Sequence, residues 1–213
     1  MATDKDSYPV KYDVAYQDTF DRFTTFVRII WAIPILIVLA LLTGSGGQST
    51  MSDASQDITA SGGGIVGGLF FATALIILFR QRYPRWWYDF ALELSRFSAR
   101  VGAYLLLLTD RYPSTVEKQS VQLDLVYPDA EQDLNRWLPL VKWFLAIPHY
   151  IALTFLALAV VVVTVIAWFS ILFTGRYPKD FFEFVVGVGR WSTRVNAYAF
   201  LLTTDKYPPF TLK

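Results

Sequence analysis

Apolar positions along the chain recur with two periods, and the change of period marks the elements. Val10, Tyr12, Val14 and Tyr16, and again Val121, Leu123, Leu125 and Tyr127, stand at every second position, the spacing of a strand with one face inward. Long apolar runs follow each segment, and each run ends in Arg-Tyr-Pro, at 82–84 and 176–178. Beyond that motif the period becomes helical. Trp87, Phe90, Leu94, Phe97, Val101, Tyr104 and Leu108 recur every three or four residues, opposite Asp89, Glu93, Arg96 and Arg100. Phe184, Val188, Trp191, Val195, Tyr198 and Leu202 repeat the pattern against Glu183, Arg190 and Arg194. The spacing predicts strands over 10–16 and 121–127 and amphipathic helices over 86–108 and 180–202. The strands are short, so a small shared sheet is expected, with Phe210-Thr211-Leu212 as a further candidate strand.

The two series read as one series written twice. Arg82 to Pro113 aligns with Arg176 to Pro208 once a single insertion is placed at Thr204, and half of the aligned positions are identical. Unrelated chains of average composition would agree at roughly 6%. Upstream, Arg28 and Ala32-Ile33-Pro34 align with Lys142 and Ala146-Ile147-Pro148. A duplication is therefore expected, with one unit over 8–113 and a second over 114–213.

Charge then suggests a topology. All 19 Lys and Arg residues lie outside two windows, 29–79 and 143–175. Basic flanks on both sides of each window place both of its ends in the cytoplasm, so each window is expected to be a transmembrane hairpin. In the first unit the hairpin comprises 23–43 and 64–79, joined by an external Gly- and Ser-rich loop over 44–63. In the second unit no polar turn is visible within 137–173. A single helix over that stretch would be about 55 Å long against a hydrocarbon core of about 30 Å, so a hairpin is expected there too, with a long helix or a re-entrant segment as alternatives. Pro34 and Pro148 should kink the first helices. Arg22, Arg28, Arg136 and Lys142 are placed to reach lipid phosphates. The expected fold is an all-α membrane protein with minor β: four transmembrane helices as two hairpins, two interfacial amphipathic helices and a small cytoplasmic sheet.

Composition agrees with a membrane setting: 54% of the 213 residues are hydrophobic and 17% charged, against roughly 25% charged in soluble domains. A formal net charge of +1 offers no field to attract nucleic acid. Cysteine is absent, which removes disulfides and thiolate chemistry. His149 is the one histidine, and an intramembrane proton carrier or metal ligand is one reading of it; with no second imidazole or thiol to complete a site, a hydrogen bond near the interface is the simpler one. No nucleophile–base set, phosphate loop or metal-ligand spacing can be assembled, so no catalytic residue, metal or cofactor is expected. Arg96, Arg100, Arg190 and Arg194 are the candidates for lipid headgroups, the alternative being internal pairing with Asp89, Glu93 and Glu183. Gly63, Gly64, Gly67 and Gly68 are spaced for close helix packing, within the bundle or against another chain.

Ala146-Ile147-Pro148-His149, Phe173-Thr174-Gly175-Arg176-Tyr177-Pro178, Arg190-Trp191-Ser192-Thr193-Arg194-Val195-Asn196-Ala197-Tyr198 and Leu201-Leu202-Thr203-Thr204-Asp205-Lys206-Tyr207-Pro208-Pro209-Phe210 resemble the bacterial membrane-protein family catalogued as domain of unknown function 4389. The resemblance extends over both units and is better in the second, since the first has Ile35 where the second has His149 and carries the Gly/Ser insertion. It implies a bacterial inner-membrane location and brings no catalytic residues with it. The expected role is a non-enzymatic membrane scaffold or accessory subunit with membrane lipids and other membrane subunits as partners; lipid binding or transport through the interfacial arginines is the alternative.

Overall fold

A computed structural model describes residues 8–43, 64–114, 117 and 119–213. In chain order the elements are β1 (Val10–Val14), α1 (Arg22–Thr43), α2 (Gly64–Arg80), α3 (Arg85–Leu105), β2 (Val121–Leu125), α4 (Pro139–Leu145), α5 (Ile147–Thr174) and α6 (Lys179–Ala199). The fold is mostly helical with one small sheet. The loop expected over 44–63 lies outside the described residues.

β1 and β2 form an antiparallel pair in which Val10 faces Leu125 and Val14 faces Val121. Val10, Val14, Val121 and Leu123 are buried, while Lys11, Asp13, Gln122 and Asp124 are exposed, so the two-residue period resolves into a dry face and a wet face. Two strands alone are marginal in water; here the dry face is covered, β1 by α6 and β2 by α3. β1 thus docks on α6, far from it in sequence. Residues 210–212 are not a strand. Leu212 lies against α6 at Gly187, where an added Cβ would stand 2.8 Å from its carbonyl oxygen.

The two amphipathic helices begin alike. Pro84 and Pro178 hold extended backbone at ψ 126 and ψ 128, and their carbonyls accept the first helical bonds, from Tyr88 N and Phe182 N, each at 3.0 Å. Proline stops the preceding segment from running on as helix and presets the turn. The apolar stripes of α3 and α6 then face the apolar helices: Phe97 and Val101 meet Ile35, with Leu39 and Leu42 beside them, and Trp191, Val195, Tyr198 and Ala199 meet Ala146, Tyr150, Leu153 and Leu156.

Among the described residues, the expectation of four membrane spans is corrected to two candidates. α1, of 22 residues, and α5, of 28, are long and apolar enough to cross a membrane; α2 has 17 residues. The hairpin expected within 137–173 does not form. Only Ala146, at φ −81 and ψ −10, separates α4 from α5, and α5 runs unbroken through Leu156-Ala157-Leu158. Nothing in that stretch is Gly, Pro or a side chain that competes for backbone groups, so nothing interrupts the i→i−4 ladder. The break occurs where Pro148, at the second position of α5, lacks a donor. Pro34, at the same distance from its cation, is held inside α1. α5 ends at Gly175, which takes the left-handed φ of 73 that favours glycine.

Candidate functional site

The arginine stripes face the strands. From α3, Arg96 donates through Nε to the Leu123 carbonyl at 2.8 Å and through Nη2 to Asp124 Oδ1 at 2.6 Å, with Nη1 on Glu93 at 2.6 Å. From α6, Arg190 donates through Nε to the Tyr12 carbonyl at 3.1 Å and through Nη2 to Asp13 Oδ1 at 2.6 Å. Tyr12 and Leu123 are paired in the sheet, so the two guanidiniums grip the same rung from opposite strands, each forked over one carbonyl and the next carboxylate. Arg100 Nη1 donates to Ser114 O at 2.6 Å, and Arg194 Nη2 to Lys213 O at 2.6 Å. All four lipid-headgroup candidates are thus engaged inside the chain. Of the acidic partners expected for them, Glu93 takes part; Asp13 and Asp124 come from the strands.

Two cations expected at lipid phosphates are instead buried. Arg28 of α1 is 3% exposed and Lys142 of α4 is 0%. Arg28 Nη1 donates to Tyr104 O at 2.8 Å and Thr109 O at 3.0 Å, and its Nη2 pairs with Asp110. Lys142 Nζ donates to Thr204 O at 2.7 Å and pairs with Asp205 at 2.6 Å. Each cation also lies over a ring, Tyr104 at 4.6 Å and Tyr198 at 5.2 Å. Burial pushes the Lys142 ammonium below its ordinary pKa and Asp205 opposes that shift. Both carboxylates follow the amphipathic helix in Thr-Asp-(Arg/Lys)-Tyr-Pro. The sequence signal for these pairs was a cation and an acid recurring at matching places in both halves.

His149 is buried in an aromatic box. Trp191 Nε1 donates to its Nδ1 at 3.1 Å, Phe210 stacks on it at 4.0 Å between centroids, and Tyr207 lies at 4.8 Å. The bond from Trp191 assigns the ring proton to Nε2. No group of three His, Cys, Asp or Glu able to hold a metal occurs among the described residues. The histidine ties the start of α5 to α6 and to the C-terminal segment.

The glycine candidates divide. Gly63 lies outside the described residues, Gly64 opens α2, Gly67 is half-buried, and a Cβ at Gly68 would meet nothing within 4 Å, so this turn of α2 makes no close approach at Gly68.

A cleft of about 700 Å³ separates α3 from α6. Ser95, Ser98, Ser192 and Thr193 line it, with Tyr150 and Leu153 of α5. Ser95, Ser98 and Thr193 bond back to their own helices, to Ala91, Leu94 and Gly189 carbonyls, so these three hydroxyls are satisfied without a ligand. The Tyr150 hydroxyl is buried without a partner.

No curated protein and no solved structure matches this chain. The model of a family described as a domain of unknown function, DUF4389, matches residues 137–211, which take in α4, α5, α6, the Lys142–Asp205 pair and the box around His149.

Proposed function

We propose that the chain is a non-enzymatic integral membrane scaffold or accessory subunit of the bacterial inner membrane, built from a duplicated unit, with its sheet and both termini on the cytoplasmic side. One observation carries the membrane setting: only 17% of the apolar window of α1, and of α5, is buried. A helix of that composition in a soluble protein is core and is covered; here Phe26, Ile29 and Ile30 of α1 and Phe155, Val162 and Phe173 of α5 are exposed, apolar surface suited to lipid or to another membrane chain. The hydroxyls of Thr154, Thr164 and Thr174 bond to carbonyls of their own helix, as they must where water is absent. The duplicated unit finds support in the matched cation–carboxylate pairs and arginine clamps. Four of its ion pairs, Arg28–Asp110, Arg96–Asp124, Lys142–Asp205 and Arg190–Asp13, join separate segments of the chain, and the surface it offers on α1 and α5 is apolar. Gentle extraction from native membrane is expected to recover protein partners; a chain that emerges alone and monodisperse in several mild detergents overturns the scaffold reading.

A second reading, lipid binding, is favoured by the cleft and no longer by the arginines. Its volume lies within the range of small-molecule sites, and the apolar part of its wall, with Leu94, Leu153 and Phe200, suits an acyl chain. Native mass spectrometry tests it: phospholipid retained by the wild type should be lost in Ser98→Trp, which fills the cleft. Retention in that variant rejects the cleft as the site.

A further inference from the structure

We infer that α5 lies along one leaflet, its outer face in the acyl layer and both ends at the same bilayer surface, so that it does not cross the membrane. The inference rests on the membrane reading above and concerns how the chain sits in that membrane. α5 and α6 are joined by four residues, 175–178, and pack antiparallel: the first turns of α5 meet Trp191, Val195 and Tyr198 near the end of α6. On its other side α6 carries β1, gripped by Arg190. The segment 8–16 that contains β1 runs along this stack, since Tyr8 donates to Lys206 O at 3.1 Å beside Asp205, and Tyr16 donates to Tyr177 O at 2.7 Å just beyond the end of α5. Both ends of α5 are therefore fastened to one polar layer, the first through His149, held by Trp191, and through the Lys142–Asp205 pair of the adjoining α4, the last through Gly175, whose carbonyl accepts Phe20 N at 3.0 Å.

An upright α5 would carry α6 and β1 into hydrocarbon with it, including Asp13, whose side chain is 65% exposed, and the exposed Lys11. Charges there are strongly disfavoured. A helix of 28 residues is about 42 Å long, well beyond the hydrocarbon thickness of about 30 Å; lying flat, its length is no obstacle. The charge distribution is also accounted for, because a helix that never crosses needs no turn to return its basic flanks to one side. Exposed Arg22 and Arg176 stand at the C-terminal end of α5, Arg22 within 3.7 Å of where a Cβ on Gly175 would be, and exposed Arg136 precedes α4. These cations complement the phosphates of the leaflet whose acyl chains the face of α5 enters.

The absence of cysteine makes a depth measurement direct. Ile151→Cys, Leu158→Cys, Val165→Cys and Phe173→Cys place single thiols on the exposed face of α5. Nitroxide labels at these sites, in the full chain reconstituted into phosphatidylethanolamine–phosphatidylglycerol bilayers, report depth from their relative exposure to oxygen and a nickel chelate. A flat α5 gives four depths within about 5 Å of one another, all in the outer part of one leaflet. A crossing α5 gives a V-shaped profile, with Leu158 deepest and Phe173 displaced from it by about 22 Å along the axis; that profile overturns the inference and leaves the membrane reading standing. Four water-exposed labels overturn both.

Discussion

The two halves of the molecule hold a cation in the same place and do different things with the helix around it. Arg28 and Lys142 each reach the loop after an amphipathic helix and bind a threonine carbonyl and an aspartate. Beyond that lock the halves part. In the first half the apolar region forms two helices, α1 and α2; in the second it continues as one helix of 28 residues along α6. The lock, then, fastens the start of an apolar helix to the loop after an amphipathic one, and the residues beyond it decide its course. Because Arg28 makes a third bond, to Tyr104 O, the first lock should be the stronger.

Removing the locks is expected to have the largest effect. Arg28→Met leaves Asp110 facing a buried gap and should destabilise the fold by about 3–5 kcal/mol, the usual cost of breaking a buried pair from one side. Lys142→Met should fall toward the lower end of that range, since one bond fewer is lost. Thermal unfolding in detergent compares them. A double-mutant cycle with Asp110→Asn should return a coupling within about 0.5–3 kcal/mol; a coupling near zero would mean that the pair is not what holds α1. Next in size comes the approach of the C-terminal segment to α6. A methyl at Gly187 would collide with backbone, the Leu212 carbonyl, so Gly187→Ala should cost about 1–3 kcal/mol. At Gly189 the obstacle is the Tyr12 ring at 2.8 Å, a side chain that can turn aside, and the penalty should be smaller. The box around His149 has no counterpart at Ile35. His149→Phe leaves the Trp191 Nε1–H without its acceptor, and about 1–3 kcal/mol should be lost; a neutral result would show that the indole finds another partner.

The sequence made the local elements legible and the partnerships between them only in part. Strand and helix periods need a window of about ten residues, and the segments carrying them became β1, β2, α3 and α6. Asp13 and Arg190 are 177 positions apart, and nothing local tells Arg190 that its acceptor is a strand and not a phosphate. The hairpin expected over 137–173 failed for a different reason. Basic flanks on one side and the absence of a turn are contradictory only if an apolar helix must cross the bilayer, and composition does not separate crossing from lying flat. The placement of the one-residue insertion also moved. Identity put it at Thr204, yet Thr109 and Thr204 give their carbonyls to Arg28 and Lys142, while Leu108 N and Thr203 N bond to Ala103 O and Ala197 O. Matched by these bonds, the two segments correspond with the extra residue just after α6, near Leu201.

The smallest expected effect is also the one that separates structure from lipid at the arginines. Arg96 and Arg190 make closely similar clamps, but their carboxylate partners are 67% and 65% exposed, so each ion pair contributes about 0–1 kcal/mol and weakens with salt. The bonds to Leu123 O and Tyr12 O are better shielded and add roughly 1 kcal/mol each. Arg96→Gln and Arg190→Gln should therefore lower stability by about 1–2 kcal/mol, with faster amide exchange confined to β1 and β2. Arg96→Gln should be the costlier, since it also frees Glu93. Phospholipid retained by the wild type should be retained equally by both variants. If the lipid is lost while strand exchange is unchanged, the guanidiniums serve a headgroup and the clamp geometry is incidental; if the strands loosen and the lipid stays, the arginines belong to the architecture of the sheet.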